Sequence, residues 1–151
     1  ESPWVGVTHH FPSPERLAGL SVEEIATIGV PKTRAATIQH FSSFTVAGGL
    51  QVQAGISLEE LILRLKALPG IGEWTAQYIA MRALRFPNAF PAGDLGLQKA
   101  VSGEASQLAS RCTEKQLLLR AEAWSPWRSY AALLLWQSLS DLPEANVGLI
   151  G

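Results

Sequence analysis

Helix-start signals recur along this chain and strand signals hardly occur, and that contrast constrains the fold more than any other feature. Ser21-Val22-Glu23-Glu24, Ser57-Leu58-Glu59-Glu60 and Thr113-Glu114-Lys115-Gln116 each set a hydroxyl residue three positions ahead of Glu or Gln. That is the pattern of a capping box, in which the two side chains satisfy each other's backbone amides. Ser13-Pro14-Glu15 and Ser125-Pro126 put a cap before a proline that suits the first helical position. Leu61, Ile62, Leu65 and Leu68 follow the second box at helical spacing. Pro31 starts another helix, with Ile38 and Phe41 on one face, that ends before Gly48-Gly49. Further helices are expected from about Glu73 to Arg85, from an N-cap at Asp94 through Leu97 and Val101, over Leu117–Trp124, and from Trp127 to about Leu139. Leu50–Ala54 is the only strand candidate, and it is short. The expected class is all-α, a compact bundle of six to eight helices joined by short turns. Nothing marks an internal boundary, so residues 1–140 read as one domain and the aperiodic stretch 141–151 as a loose tail.

Composition narrows the partners. A chain of 151 residues, 47% hydrophobic, can bury a sizeable core without disulfides. Its single cysteine, Cys112, excludes an internal disulfide framework and a multi-cysteine zinc site. A net charge of −1 excludes binding to nucleic acid by bulk positive charge, so any such site must be local. No apolar run approaches the roughly 20 residues of a transmembrane helix, so no membrane partner is expected. The stretch Glu1–Phe11 lacks the basic start and apolar run of a signal peptide. His9, His10 and His40 have no metal-ligand spacing.

The segment Leu68-Pro69-Gly70-Ile71-Gly72-Glu73-Trp74-Thr75-Ala76 reads as helix, glycine turn, helix. Two glycines let backbone amides face outward with no side chain in the way. The amides that open the second helix lack internal acceptors and sit at the positive end of its dipole, which suits a phosphate. Ile71 would anchor the turn from inside. From the glycines alone, an ordinary helix–helix connection whose glycines merely allow a sharp turn is the favoured reading.

The surroundings shift that balance. Phe90-Pro91-Ala92-Gly93-Asp94 ends in an aspartate twenty residues after Trp74, and Ala123-Trp124-Ser125-Pro126-Trp127-Arg128-Ser129-Tyr130-Ala131-Ala132 leads on to Trp136. Together, hairpin, spaced aspartate and Trp-rich last helix resemble the helix-hairpin-helix DNA glycosylases, and within them the 3-methyladenine DNA glycosylase II branch that removes alkylated bases. The resemblance runs from about Phe11 to Leu139.

It implies a base-excision-repair enzyme that flips a damaged nucleotide out of duplex DNA and hydrolyses its N-glycosidic bond. Asp94 would be the catalytic carboxylate, stabilising positive charge on the sugar and orienting water; as an isolated residue it is equally a plain N-cap. Trp74, Tyr78 and Trp136 would line the base pocket, where electron-rich faces select a cationic base; at helical spacing they also suit a core. The amides of Gly70, Gly72 and Thr75 would hold the DNA backbone. The carbonyls of Lys66, Leu68 and Gly70 would hold a structural Na+ or K+, with no other cofactor required. Lyase-type relatives carry a lysine where this chain has Trp74, which implies a monofunctional enzyme that uses water. One cysteine cannot hold the iron–sulfur cluster of that branch. The implied partner is double-stranded DNA with alkylated bases, in a bacterial-type, cytoplasmic, DNA-associated protein.

Two departures qualify the resemblance. Relatives begin well before residue 1, with a β-rich domain and the segment that wedges into the duplex. An N-terminally incomplete domain is therefore expected, with apolar surface left for a missing N-terminal segment, a partner chain or a second copy to cover. Leu95 follows Asp94 where the best-known branch member has an aromatic, which bears on base preference. The rival readings are a non-catalytic helix-hairpin-helix DNA-binding fragment and a helical adaptor that uses the hairpin for protein contacts.

Overall fold

The computed structural model describes residues 8–51, 55–102 and 112–140. The chain divides between Ile71 and Gly72 into two compact units. Among the described residues the regular elements are eight α-helices and one 3₁₀ turn, with no strand, as the all-α expectation holds.

The first unit carries α1 (Pro14–Ala18), α2 (Val22–Ala26), α3 (Lys32–Val46) and α4 (Leu58–Lys66). The sequence signals account for their starts. The Ser13 hydroxyl accepts from the Arg16 amide, with Pro14 in the first helical turn. Ser21 and Glu24 form a complete box: the Ser21 hydroxyl accepts from the Glu24 amide, and the Glu24 carboxylate accepts from the Ser21 amide at 2.8 Å. The box expected at Ser57 is only half made. Its hydroxyl accepts from the Glu60 amide at 3.1 Å, but the Glu60 carboxylate turns to Arg64, one helical turn on. An ion pair at i, i+4 competes for the same oxygens.

Both α1 and α2 pack on α3. Gln39 of α3 donates to the Leu20 carbonyl at 2.6 Å and ties that packing to the connection between the two short helices. Ile25, Ala35, Leu61, Ile62, Leu65 and Ile71 are buried. A fully buried leucine contributes about 1.5–3 kcal/mol, so Leu61 and Leu65 account for much of the hold of α4. Ile38 and Phe41 share a face as expected, but with Phe11, Leu17 and Leu50 they line an apolar groove of about 410 Å³. The strand candidate is not a strand where it is described: Leu50 lies in a turn closed by the Gln51 amide on the Gly48 carbonyl. Residues 52–54 lie outside the described residues.

The second unit carries α5 (Glu73–Arg82), α6 (Leu95–Ser102), α7 (Glu114–Ala121), a 3₁₀ turn (Glu122–Trp124) and α8 (Arg128–Ser140). Leu97, Leu117, Ala121 and Ala132 are fully buried where α6 meets α7 and α8. Thr113 and Gln116 make the expected capping box. Two expected limits shift. First, α5 stops at Arg82 rather than Arg85. Arg85 takes the left-handed conformation (φ 58°), and the amides of Leu84 and Phe86 reach back to Ile79 and Ala80, five and six residues away instead of four. Second, Ser125 and Pro126 form a turn joined by a cis peptide bond, and α8 begins only at Arg128. There the Trp127 carbonyl accepts from the amides of Tyr130 and Ala131. The tail 141–151 lies outside the described residues. No helix of the described residues is long and apolar enough to cross a membrane.

Candidate active site

Four residues from three helices meet in the second unit: Trp74 and Tyr78 of α5, Asp94 at the start of α6, and Trp136 of α8. Asp94 carries out the local duty its position predicts. Its Oδ1 accepts from the Leu97 amide at 2.9 Å and so caps α6. The same oxygen accepts from Trp136 Nε1 at 2.9 Å. Its other oxygen, Oδ2, accepts from Trp74 Nε1 at 3.3 Å. All three donors are neutral N–H groups, so the carboxylate is oriented by dipoles. Cap and site residue coexist in one side chain because the two carboxylate oxygens divide the work unequally. Oδ1 takes two short bonds and Oδ2 a single long one.

The aromatic residues are contiguous. Trp74 stacks on Tyr78 with ring centroids 5.3 Å apart and planes 19° apart. Tyr78 in turn meets Trp136 at 6.0 Å and 60°. Trp74 and Tyr78 are one helical turn apart, which puts them on one face of α5. They are not core residues: Trp74 is 42% exposed, and Tyr78, Asp94 and Trp136 are half-buried. The arrangement is an open wall of aromatic faces beside one fixed carboxylate. Leu95, the first residue of α6, is 64% exposed next to it.

The second half of the loop that delivers Asp94 is buried, although loops ordinarily run over the surface where water satisfies them. Ala89, Phe90, Pro91 and Ala92 are all buried. Their polar backbone groups must therefore find protein partners. Gln77 of α5 accepts from the Phe90 amide at 3.0 Å. Gln98 of α6 donates to the Ala92 carbonyl at 3.1 Å. Ser129 of α8 places its hydroxyl 2.7 Å from the carbonyls of both Phe86 and Ala89, and its amide donates to Pro87 at 2.9 Å. Arg128 of α8 donates its Nε–H to the Asn88 side chain at 2.7 Å. Sequence reasoning missed Gln77, Asn88, Gln98 and Ser129 as site residues. The available signal was a polar residue at a core position, Gln98 beside Leu97 and Ser129 three before Ala132.

The hairpin residues fall on either side of the division between units. In the first, the Ile71 amide donates to the Leu68 carbonyl at 3.1 Å, and Ile71 is buried as the expected anchor. Gly70 has φ +84°, and a Cβ there would sit 2.0 Å from Thr37 Oγ1. Its glycine is therefore demanded by the fold twice over. In the second unit, Gly72 is the N-cap of α5 in extended conformation (φ −91°, ψ 179°) that any residue adopts, with no side-chain cap. A Cβ at Gly72 would meet nothing within 4 Å. The fold thus does not require glycine at 72; Thr75 lies in the first turn of α5, whose amides have no intrahelical acceptor. Lys66 is the last residue of α4, and Leu68 and Gly70 lie in the turn that follows it; all three offer backbone carbonyl oxygens. Such hard oxygen donors fit an alkali cation, with one lone pair of Leu68 already engaged by Ile71.

No family profile matches the chain. A probable bifunctional transcriptional activator/DNA repair enzyme AlkA from Mycobacterium tuberculosis is 41% identical over 88% of this chain and 25% of its own length. DNA-3-methyladenine glycosylase 2 of Escherichia coli is 32% identical over 89% of this chain and 45% of its own. Among solved structures, the 3-methyladenine DNA glycosylase Mag1 of Schizosaccharomyces pombe in complex with abasic DNA superposes with a TM-score of 0.74 at 25% identity, covering 90% of this chain and 67% of that one. The chain spans a quarter to under half the length of these two curated relatives. Over nearly nine tenths of its length this chain is similar in sequence to these curated DNA repair enzymes and in fold to a 3-methyladenine DNA glycosylase.

Proposed function

We propose that the chain is the catalytic part of a monofunctional DNA glycosylase that hydrolyses the N-glycosidic bond of alkylated purines, such as 3-methyladenine, in duplex DNA. The observation that carries this is the Asp94 carboxylate fixed beside the faces of Trp74, Tyr78 and Trp136. Alkylation of a ring nitrogen makes the base cationic. A cation over an aromatic face gains roughly 0.5–2 kcal/mol, so the aromatic wall selects the damaged base once it is flipped out. The glycosidic bond then breaks with its electron pair going to the base, which leaves neutral. Positive charge builds on the sugar, and Asp94 stabilises it. Water adds at C1′ and gives up its proton to the Asp94 carboxylate. No lysine stands at position 74 to attack the sugar, so the product is an abasic site.

The amides of Gly70, Gly72 and Thr75 take the DNA backbone by geometry, which reconciles DNA binding with a net charge of −1. A Na+ or K+ on the carbonyls of Lys66, Leu68 and Gly70 would add a positive charge facing a phosphate. The apolar groove of the first unit is the face this reading leaves for a further protein segment, a partner chain or a second copy to cover. The setting is a bacterial-type, DNA-associated, cytoplasmic protein.

The test is release of 3-methyladenine and 7-methylguanine from methylated duplex DNA with protein in excess over lesions, for the wild-type chain and Asp94→Asn. Release by the first alone supports the reading. Equal release by both removes Asp94 from the chemistry. DNA binding without release by either leaves the non-catalytic DNA-binding module as the better account.

A further inference from the structure

Gly96 stands in the first turn of α6, two residues after Asp94. Its backbone does not call for glycine, since it is helical and outside the left-handed region that favours glycine. Alanine is the better helix former at such a position. A local rule broken in this way often marks a functional constraint. The constraint here is visible: a Cβ on Gly96 would fall 2.9 Å from Asp94 Oδ1 and 3.5 Å from both Cδ1 and Nε1 of Trp136. That oxygen is the one held by the Leu97 amide and the Trp136 indole, both at 2.9 Å. A carboxylate held from two sides is not a loose side-chain end that swings away from an intruding methyl group.

We propose that Gly96 is a positioning residue for Asp94. Because it carries no side chain, the carboxylate and the Trp136 indole close together over the first turn of α6. Oδ1 is then locked in the cap while Oδ2, with its single long bond to Trp74, remains the oxygen that turns to the substrate. The inference rests on the reading of Asp94 as the catalytic carboxylate. An added methyl group would not unfold the helix; it would rotate the carboxylate off the Trp136 N–H.

Two measurements test this. The first is single-turnover release of 3-methyladenine by wild type, Gly96→Ala and Asp94→Asn, with DNA affinity measured alongside. Gly96→Ala is expected to slow release roughly a hundredfold, the scale of a misplacement near 1 Å, with affinity unchanged. The second does not need activity. The melting midpoint is compared for Gly96→Ala in the wild-type and Asp94→Ala backgrounds, and the Trp136 indole N–H resonance, identified by its loss in Trp136→Phe, is followed in each. Alanine should raise the midpoint only where the colliding carboxylate is gone, and in the wild-type background it should shift the indole resonance. A wild-type release rate in Gly96→Ala while Asp94→Asn is inactive overturns the proposal. So does an equal gain in stability in both backgrounds. Full release by Asp94→Asn overturns instead the catalytic reading of Asp94, and the melting cycle still decides whether Gly96 sets the carboxylate.

Discussion

Trp136 gives its indole N–H to Asp94 Oδ1 at 2.9 Å, across 42 residues of chain. One side chain thereby serves the base pocket with its ring and the carboxylate with its nitrogen. Trp136→Phe separates the two roles, because it keeps an aromatic face and removes the donor. A hydrogen bond to a charged acceptor contributes about 1.5–3 kcal/mol, so losing even the lower figure from the transition state slows base release about tenfold. The expected outcome is slower single-turnover release with DNA affinity preserved. An unchanged rate would show that the Leu97 amide alone orients Asp94.

Ser129 anchors the loop ahead of Asp94 from inside the protein. It is 6% exposed, and its hydroxyl lies 2.7 Å from the carbonyls of half-buried Phe86 and fully buried Ala89. Ser129→Ala leaves one of them without a donor and is expected to destabilise the fold by about 1–3 kcal/mol, the desolvation penalty of an unpaired buried polar group. Chemical denaturation reads this directly. A change within about 0.5 kcal/mol, the range of an ordinary surface substitution, would mean that the loop does not depend on this clamp.

The pattern of what could be read in advance follows from where each interaction is encoded. Helix starts were legible because capping is chemistry between residues three apart, and Ser13, Ser21 and Thr113 all make their bonds. The pattern at Ser57 predicts a complete box, because nothing in those four residues shows that Arg64 takes the Glu60 carboxylate. The sequence predicts α5 three residues too long, since Arg85 carries no sign of a left-handed backbone in its residue type. In the site, Asp94, Trp74, Tyr78 and Trp136 do come together. Their supports could not be named, because Gln77, Gln98 and Ser129 bond to backbone atoms, which every residue has alike.

The Ser21–Glu24 box sets a pH dependence for the first unit. The Ser21 backbone amide first, and its hydroxyl second, hold the Glu24 carboxyl below the usual carboxylate range. A group whose pKa is lowered on folding stabilises the fold above its unfolded pKa, about 4.3 for Glu. That stabilisation is lost as pH falls through the lower folded value. Glu24→Ala should therefore lower the melting midpoint at neutral pH, and the gap to wild type should shrink on acidification below about pH 4. A gap that stays constant down to pH 2 would mean that the ionised carboxylate is not what holds the start of α2.

Gly70 and Gly72 look alike in the sequence and play different parts. At Gly70, φ +84° and the 2.0 Å approach of a built Cβ to Thr37 Oγ1 both oppose a side chain. Gly70→Ala is expected to destabilise the fold by at least about 1 kcal/mol, the order of the strain of holding a non-glycine residue there. At Gly72 neither obstacle exists, because its backbone is extended and a Cβ would meet nothing within 4 Å. Gly72→Leu should change stability by no more than about 1 kcal/mol, the difference between a tolerated and a poor N-cap. If the first-turn amides of α5 take a phosphate, the leucine side chain stands where that phosphate must come. Affinity for duplex DNA should then fall alike for every sequence, since a backbone contact reads no base. Loss of stability at 70 with loss of affinity at 72 would assign the first glycine to the fold and the second to DNA. Unchanged affinity in a stable Gly72→Leu protein would remove the start of α5 from the DNA contact altogether.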